Sequence, residues 1–140
     1  MHLFLDTEFN GFCGDLISLA LVPESPQHSN FYQSLGCADP CEWVAANVMP
    51  IIGIDPIGRE DFQLRLAQYL NQWAEVTIIA DWHEDIAHFC DILTTGPGNR
   101  IPTPTLRFEI RRDMDAVLPS QPHNALSDAA AMRDSVLASI

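Results

Sequence analysis

An apolar run that carries two carboxylates opens the chain over Leu3–Phe9 (LFLDTEF). Its apolar and β-favouring residues predict a strand. Alternate residues of a strand share a face, so Asp6 and Glu8 are expected to project side by side. Two like charges held that close repel each other, and divalent cations that take carboxylate oxygens relieve the repulsion. The segment therefore predicts either a metal-binding strand or an edge strand with two solvated acids.

The pattern of apolar residues along the rest of the chain alternates between strand and helix. Short turns separate the first three strand-like runs, which favours an antiparallel meander. In chain order we expect strands over 3–9, Asp15–Val22 and Asn30–Leu35, helices over Asp39–Val48 and Arg59–Trp73, a strand over Val76–Ala80, a helix ending near Leu93, a loop over Thr94–Pro104, a strand over Thr105–Ile110 and a helix over Asn124–Ile140. This order predicts an α/β fold with a mixed sheet, three antiparallel strands followed by parallel strands, flanked by helices.

Helical spacing also predicts which side of each helix is buried. Asp39 is a candidate cap of the first helix, where Trp43 lies on an apolar stripe with Val44 and Val48. In the last helix, the spacing predicts one buried side formed by Leu126, Ala129, Ala130, Arg133 and Val136.

Length and composition bound the class of protein. With 140 residues, of which 47% are hydrophobic, the chain is expected to form a single domain over residues 1–140. No apolar run approaches the roughly 18–20 residues that span a bilayer, and the N-terminus lacks a basic segment with a cleavage site. We therefore expect no membrane partner and a cytoplasmic location, with the four scattered cysteines reduced.

The charge of the chain is strongly acidic, with a formal net charge of −12. This balance argues against a broad electrostatic surface for nucleic acid. Carboxylates that hold divalent cations are themselves a source of negative charge, and bound cations reverse the local field. All seven basic residues are arginine, the bidentate phosphate ligand. The basic cluster of Arg107, Arg111 and Arg112 fits either a phosphate contact or a surface ion-pair network.

Further acidic residues fall at helix starts. Asp85 opens the helix after the buried strand, and Asp128 lies near the start of the last helix, five residues after His123. If the first strand is central, both helix starts can lie near its end, and four carboxylates can hold two metal ions. Two ions about 4 Å apart stabilise the attacking and leaving oxygens of a phosphodiester displacement. His123, on a proline-flanked loop, could take a proton from the attacking water.

These segments together resemble a known family. Asp6-x-Glu8, Asp85 and His123-x(4)-Asp128 are similar to the three motifs of the DEDDh 3′–5′ exonucleases, and HNALSDA over residues 123–129 is the most specific of them. Within that family, the chain looks most like the small bacterial 3′–5′ exoribonucleases that include polyadenylate-specific members. The resemblance implies a ribonuclease-H-like fold and release of nucleoside 5′-monophosphates from the 3′ end of single-stranded RNA. It also implies two Mg²⁺ or Mn²⁺ ions held by Asp6, Glu8, Asp85 and Asp128, with His123 as the base.

Several assignments stay open at this point. Asp81 rivals Asp85 as the third ligand, although it could instead cap the helix that follows. We assign Thr7, Phe9 and Arg107 to substrate binding, with core packing of Phe9 and an ion-pair role of Arg107 as alternatives. The same fold could instead degrade DNA or very short oligonucleotides, or bind nucleic acid without catalysis. Small exonucleases of this kind are often homodimers, which leaves the oligomeric state open.

Overall fold

Strands and helices alternate along the chain, and the computed structural model describes residues 1–114 and 119–138. The strands are β1 (His2–Phe9), β2 (Leu16–Pro23), β3 (Phe31–Ser34), β4 (Glu75–Ala80), β5 (Thr94–Gly96), β6 (Asn99–Arg100) and β7 (Thr105–Ile110). The helices are α1 (Glu42–Asn47), α2 (Arg59–Leu70), α3 (His83–Leu93) and α4 (Ala125–Ala138), with a 3₁₀ turn over Met49–Ile51. Within these ranges, no helix has the length and apolar character needed to cross a membrane.

A five-stranded mixed sheet forms the centre of the molecule, in the order β3-β2-β1-β4-β7. β1 pairs antiparallel with β2 and parallel with β4. β2 pairs antiparallel with β3, and β4 pairs parallel with β7. The predicted α/β fold with a mixed sheet is therefore confirmed. β1 is the middle strand, and this position places its two acids inside the fold.

Each face of the sheet carries its own core. On one face, α2 and α3 pack against alternate residues of β1 such as Leu3 and Leu5, and Phe62 and Phe89 are fully buried there. On the other face, α4 packs against Phe4 of the same strand. Burial on both faces explains why β2 reads as a nearly unbroken apolar run.

Element boundaries differ from the prediction in three places. α1 begins at Glu42, and Asp39 does not cap it, because the side chain of Asn10 bonds the Asp39 carbonyl and the Cys41 amide instead. α2 ends at Leu70 rather than Trp73. The predicted loop contains the short antiparallel hairpin β5–β6, which turns at Gly98 with a φ of 73° that favours glycine.

α4 packs on the core of its sheet face with most of the predicted side, since Leu126, Ala129, Ala130 and Val136 all contact it, and also with residues beside that side. Ala125, Ala129 and Met132 pack into the core, and Arg133 instead pairs with Asp134. The buried surface of α4 is wider than predicted because an alanine-rich helix has small apolar residues all around it, so its periodicity does not define one narrow face. Small residues on both sides, such as Ala20 of β2 and Ala129, allow α4 to pack closely on the sheet.

Two leucines of α2 give a direct test of this packing. Leu66 is fully buried and Leu64 is 58% exposed. We expect Leu66→Ala to lower the free energy of unfolding by roughly 2–5 kcal/mol, since it leaves a cavity between α2 and the sheet. Leu64→Ala should change it by less than about 0.5 kcal/mol. Urea unfolding of both variants measures the difference, and equal effects would contradict the placement of α2.

Candidate active site

Asp6 and Glu8 lie on the last residues of β1, on the face covered by α4. The alternation of the strand puts them on the same side, as predicted, two residues apart. The Oδ2 atom of Asp6 is buried and has no hydrogen-bond partner among the described residues. A buried polar atom without a partner is rare and costs free energy, which marks this position as one that a ligand completes.

Asp85 reaches Asp6 from the first turn of α3. It is buried, and its Oδ1 accepts a hydrogen bond of 2.6 Å from the Thr7 hydroxyl. Thr7 is also buried, so its side chain holds Asp85 and is not presented to a substrate. The N-terminal end of α3 carries partial positive charge, which favours a carboxylate at this position.

Asp128 reaches Glu8 from the first turn of α4. Asn124 caps this helix, because its Oδ1 accepts a hydrogen bond from the Ser127 amide. The Nδ2 of Asn124 donates to the Ile51 carbonyl at 2.8 Å and to the Tyr32 hydroxyl at 3.2 Å. Asn124 therefore fixes the start of α4 to the sheet and to the 3₁₀ turn.

Two groups of three carboxylates share Asp6. One group is Asp6, Asp81 and Asp85, and the other is Asp6, Glu8 and Asp128. Within each group, one oxygen of each side chain lies within 4.8 Å of the others. The structure thus brings all four predicted ligands together and adds Asp81 beside Asp85, so the two rivals lie in the same group. Carboxylate oxygens at this spacing suit hard divalent cations.

Burial and mutual repulsion raise the pKa of every carboxyl in the second group and of Asp85. Burial is the largest cause for each, and it raises the pKa of Glu8 to about 8 and that of Asp85 to about 7. The pKa of Asp128 rises to about 6, against the opposing effect of His123. The pKa of Asp6 is raised well above its ordinary value by burial and by the charges of its four acidic neighbours. Without a cation, this cluster therefore favours bound protons.

His123 lies on the exposed side of the cluster, in the turn before α4. Its φ of 68° is left-handed, which is uncommon for a residue other than glycine. Burial raises the pKa of Asp128, and the charge of His123 and a hydrogen bond to its backbone oppose that rise, which is consistent with the closeness of the two residues. The edge of the Trp43 ring lies against the imidazole, with ring centroids 4.9 Å apart. His123 is thus held at the rim with access to solvent.

A groove of about 340 Å³ borders Glu8, and its wall is largely aromatic. Phe9, Phe12 and Trp43 line it together with Glu84. Phe12 is 91% exposed and Trp43 53% exposed, so the expectation that Trp43 belongs to the core was wrong. Phe9 stacks on His88 with ring centroids 4.5 Å apart, which places it between this groove and α3.

Arg107 does not join the site. In the register of β7 it faces Thr77, which in turn pairs with His2 at the opposite end of β1 from Glu8. Its guanidinium lies 3.4 Å from Glu75 in an exposed ion pair. These contacts match the alternative of an ion-pair role and give no support to the assignment of Arg107 to substrate binding.

Sequence reasoning missed the roles of Asn124 and Trp43. Asn124 directly precedes α4, and an asparagine at that position is a recognised cap signal. Its contacts with Ile51 and Tyr32 span more than 70 residues, and no local pattern reveals them. Trp43 had the spacing of a buried residue, and no feature of the sequence distinguishes it from one.

Comparison with known proteins does not assign the chain to a family. No family model matches it, and a search of the curated proteins finds no match. The resemblance to the DEDDh exonucleases therefore stays a prediction that rests on the motifs.

The raised pKa values give a pH-dependent test of the cluster in metal-free protein. Because the folded state binds more protons than the unfolded chain between about pH 4 and pH 8, these carboxyls stabilise the fold at low pH, and that stability is lost as pH rises. Asp6→Asn removes one charge from the cluster. We expect it to raise Tm relative to the native chain by several degrees at pH 8, and by much less at pH 5, as measured by calorimetry with chelator present.

The control for this measurement is Asp55→Asn, which changes an exposed carboxylate outside the cluster. Its effect on Tm should be small and the same at both pH values. A pH-independent effect of Asp6→Asn would show that the carboxylates are not coupled.

Proposed function

We propose that the protein is a metal-dependent 3′–5′ exonuclease that removes nucleoside 5′-monophosphates from the 3′ end of single-stranded RNA. The observation that carries this proposal is the pair of three-carboxylate groups that share Asp6, with a histidine at their rim. Protein sites of two adjacent cations bridged by a carboxylate are typical of enzymes that cleave phosphodiesters. The order and pairing of the strands also suit a ribonuclease-H-like fold, which we propose for this chain.

The residues present fit two divalent cations. The buried Oδ2 of Asp6 has no partner within residues 1–114 and 119–138, and the surrounding ligands are all carboxylates, which Mg²⁺ and Mn²⁺ prefer. Asp6 would contact both ions, Glu8 and Asp128 one of them, and Asp85 with Asp81 the other. When bound, the ions would stabilise negative charge on the phosphodiester oxygens and lower the pKa of water.

The side chains of this chain supply the remaining functions. His123 takes the proton from the attacking water, a role that suits an imidazole with solvent access and a nearby carboxylate. The contact with Trp43 and the cap formed by Asn124 limit where the imidazole can lie. Thr7 fixes Asp85 through its hydroxyl. A base positioned in this way typically contributes about 10²–10⁴-fold to the rate.

The aromatic groove beside Glu8 suits one nucleobase at the chain end. Phe9, Phe12 and Trp43 offer ring faces and edges next to the carboxylates, and stacking of a base on an aromatic ring contributes about 1–3 kcal/mol. Such a contact tolerates any base. RNA is proposed over DNA from the motif resemblance, and paired RNA and DNA substrates of the same sequence test that preference.

A second candidate, the hydrolysis of very short oligonucleotides, is favoured by the charge around the site. A larger cleft of about 880 Å³ lies next to the Phe9–His88 stack. It contains Arg59 but also three aspartates, Asp15, Asp39 and Asp91. An acidic cleft binds a long phosphate backbone poorly. A comparison of rates on substrates of two, five and twenty nucleotides separates the two candidates.

Metal binding can be tested without any substrate. Mn²⁺ added to metal-free protein at pH 7.5 should raise Tm by several degrees, because an ion that binds only the folded state stabilises it by about 2.7 kcal/mol at 100 times its Kd. Asp6→Asn should abolish most of this rise, whereas Asp55→Asn should keep it. An equal rise in all three proteins would mean that the ion binds elsewhere.

Activity is tested with 5′-labelled single-stranded RNA and Mg²⁺ or Mn²⁺. We expect stepwise shortening from the 3′ end, with loss of at least about 10³-fold in Asp6→Asn and about 10²–10⁴-fold in His123→Ala. His28→Ala is the matched control, since His28 contacts Trp73 away from the site and its loss should leave the rate unchanged. Full activity of Asp6→Asn would falsify the proposal, and metal binding without hydrolysis would favour a silent binding module.

A further inference from the structure

Within the part of the chain that the structure describes, no strand pairs with the backbone groups at the outer edge of β7. β7 is the last strand of the sheet, and among the described residues only β4 pairs with it. The Thr105 amide donates to the Ala74 carbonyl and the Arg111 amide donates to the Ala80 carbonyl. Because alternate residues of a strand direct their backbone groups to opposite sides, those of Leu106, Phe108 and Ile110 point away from the sheet. Such an edge is a template for another strand.

Large apolar side chains are exposed along the same edge. Phe108 is 43% exposed and Ile110 45% exposed, and they share a face of the strand with Leu106. Trp82, also 45% exposed, lies at the end of this edge, with the Arg112 guanidinium 5.2 Å from its ring centroid. The opposite face of the strand carries Arg107 and Glu109, both exposed.

We propose that β7 pairs antiparallel with β7 of a second copy of this chain, about a twofold axis at Phe108. In this register Phe108 faces Phe108 of the second copy as a hydrogen-bonded pair, which matches the outward direction of its backbone groups. Leu106 faces Ile110 in the same way, so three residues of each copy supply six backbone hydrogen bonds. The proposal does not depend on the proposed function.

Charge complementarity favours a second copy of this chain as the partner of the β7 edge. Arg107 of each copy faces Glu109 of the other, so the dimer has two such pairs. They occupy the positions of an antiparallel ladder that have no backbone hydrogen bonds and in which the side chains are closest. The strand is therefore its own complement only in the antiparallel register centred on Phe108. The chain as a whole carries a net charge of −12, which opposes self-association. Arg107, Arg111 and Arg112 lie on or directly after β7 and offset part of this negative charge at the edge.

The register can be tested by exchange of the two charges. Arg107→Glu and Glu109→Arg each place like charges opposite one another twice, and each should raise the dimer Kd by about tenfold in sedimentation velocity. The double exchange restores opposite charges and should return the Kd to within about threefold of the native value. The present partners, Glu75 and Arg111, form exposed pairs, so Tm should change little in all three variants.

Cross-linking gives an independent measurement in a chain whose four native cysteines are replaced by serine. Phe108→Cys puts two thiols opposite each other, at the roughly 5.5 Å between Cα atoms that a disulfide accepts, and diamide should yield a covalent dimer. Ile110→Cys is the matched control, because its counterpart lies four residues along the partner strand and out of reach. A monomer at all concentrations, equal cross-linking of both variants, or no recovery in the double exchange would overturn the proposal.

Discussion

The crowding of carboxylates around Asp6 is the interaction on which the rest of the structure depends. Burial raises the pKa of this one residue most, and the charges of four acidic side chains from three separate segments raise it further. A fold that assembles such a cluster gives up stability near neutral pH, because each carboxyl either repels its neighbours or keeps a proton. The helix starts at Asp85 and Asp128 offset part of this repulsion through their partial positive charge.

The position of β1 in the sheet explains how remote segments reach Asp6. β1 lies between an antiparallel neighbour and a parallel one, so its last residues lie beside the end of β4, where α3 begins. The end of a parallel strand is where ligands usually bind in α/β sheets, because the chain must turn there and exposes polar groups. α4 then crosses the other face of β1 and brings Asp128 to Glu8. The approach of Asp85 and Asp128 to the acidic residues of β1 needs both the middle position of this strand and its pairing with one antiparallel and one parallel neighbour.

Much of this arrangement could be predicted from the sequence. Strands that are buried on both faces appear as unbroken apolar runs, and the acidic residues of the site lie near the ends of these runs. The sequence could not show that Asp81 and Asp85 lie in the same group of carboxylates, or that the Thr7 hydroxyl, 78 residues away, donates a hydrogen bond to Asp85. The buried side of α4 was predicted in part: Ala129 packs in the core as expected, whereas the burial of Ala125 and Met132 and the pairing of Arg133 with Asp134 were not predicted. Trp43 was predicted to be buried with Val44 and Val48, yet only the two valines of this stripe are buried.

The two ends of the sheet carry different charged residues. The acidic cluster occupies the end of β1, whereas Arg107 lies toward the start of the strands and is held by Glu75. Arg107 is therefore too far away to contact a phosphate at the carboxylate cluster, whereas His123 lies at the rim of the cluster and Arg112 donates a hydrogen bond to the Asp81 carbonyl. This separation explains why a strongly acidic chain can still suit a phosphodiester: the site needs only enough positive charge for one chain end, and the carboxylates can bind it as metal ions.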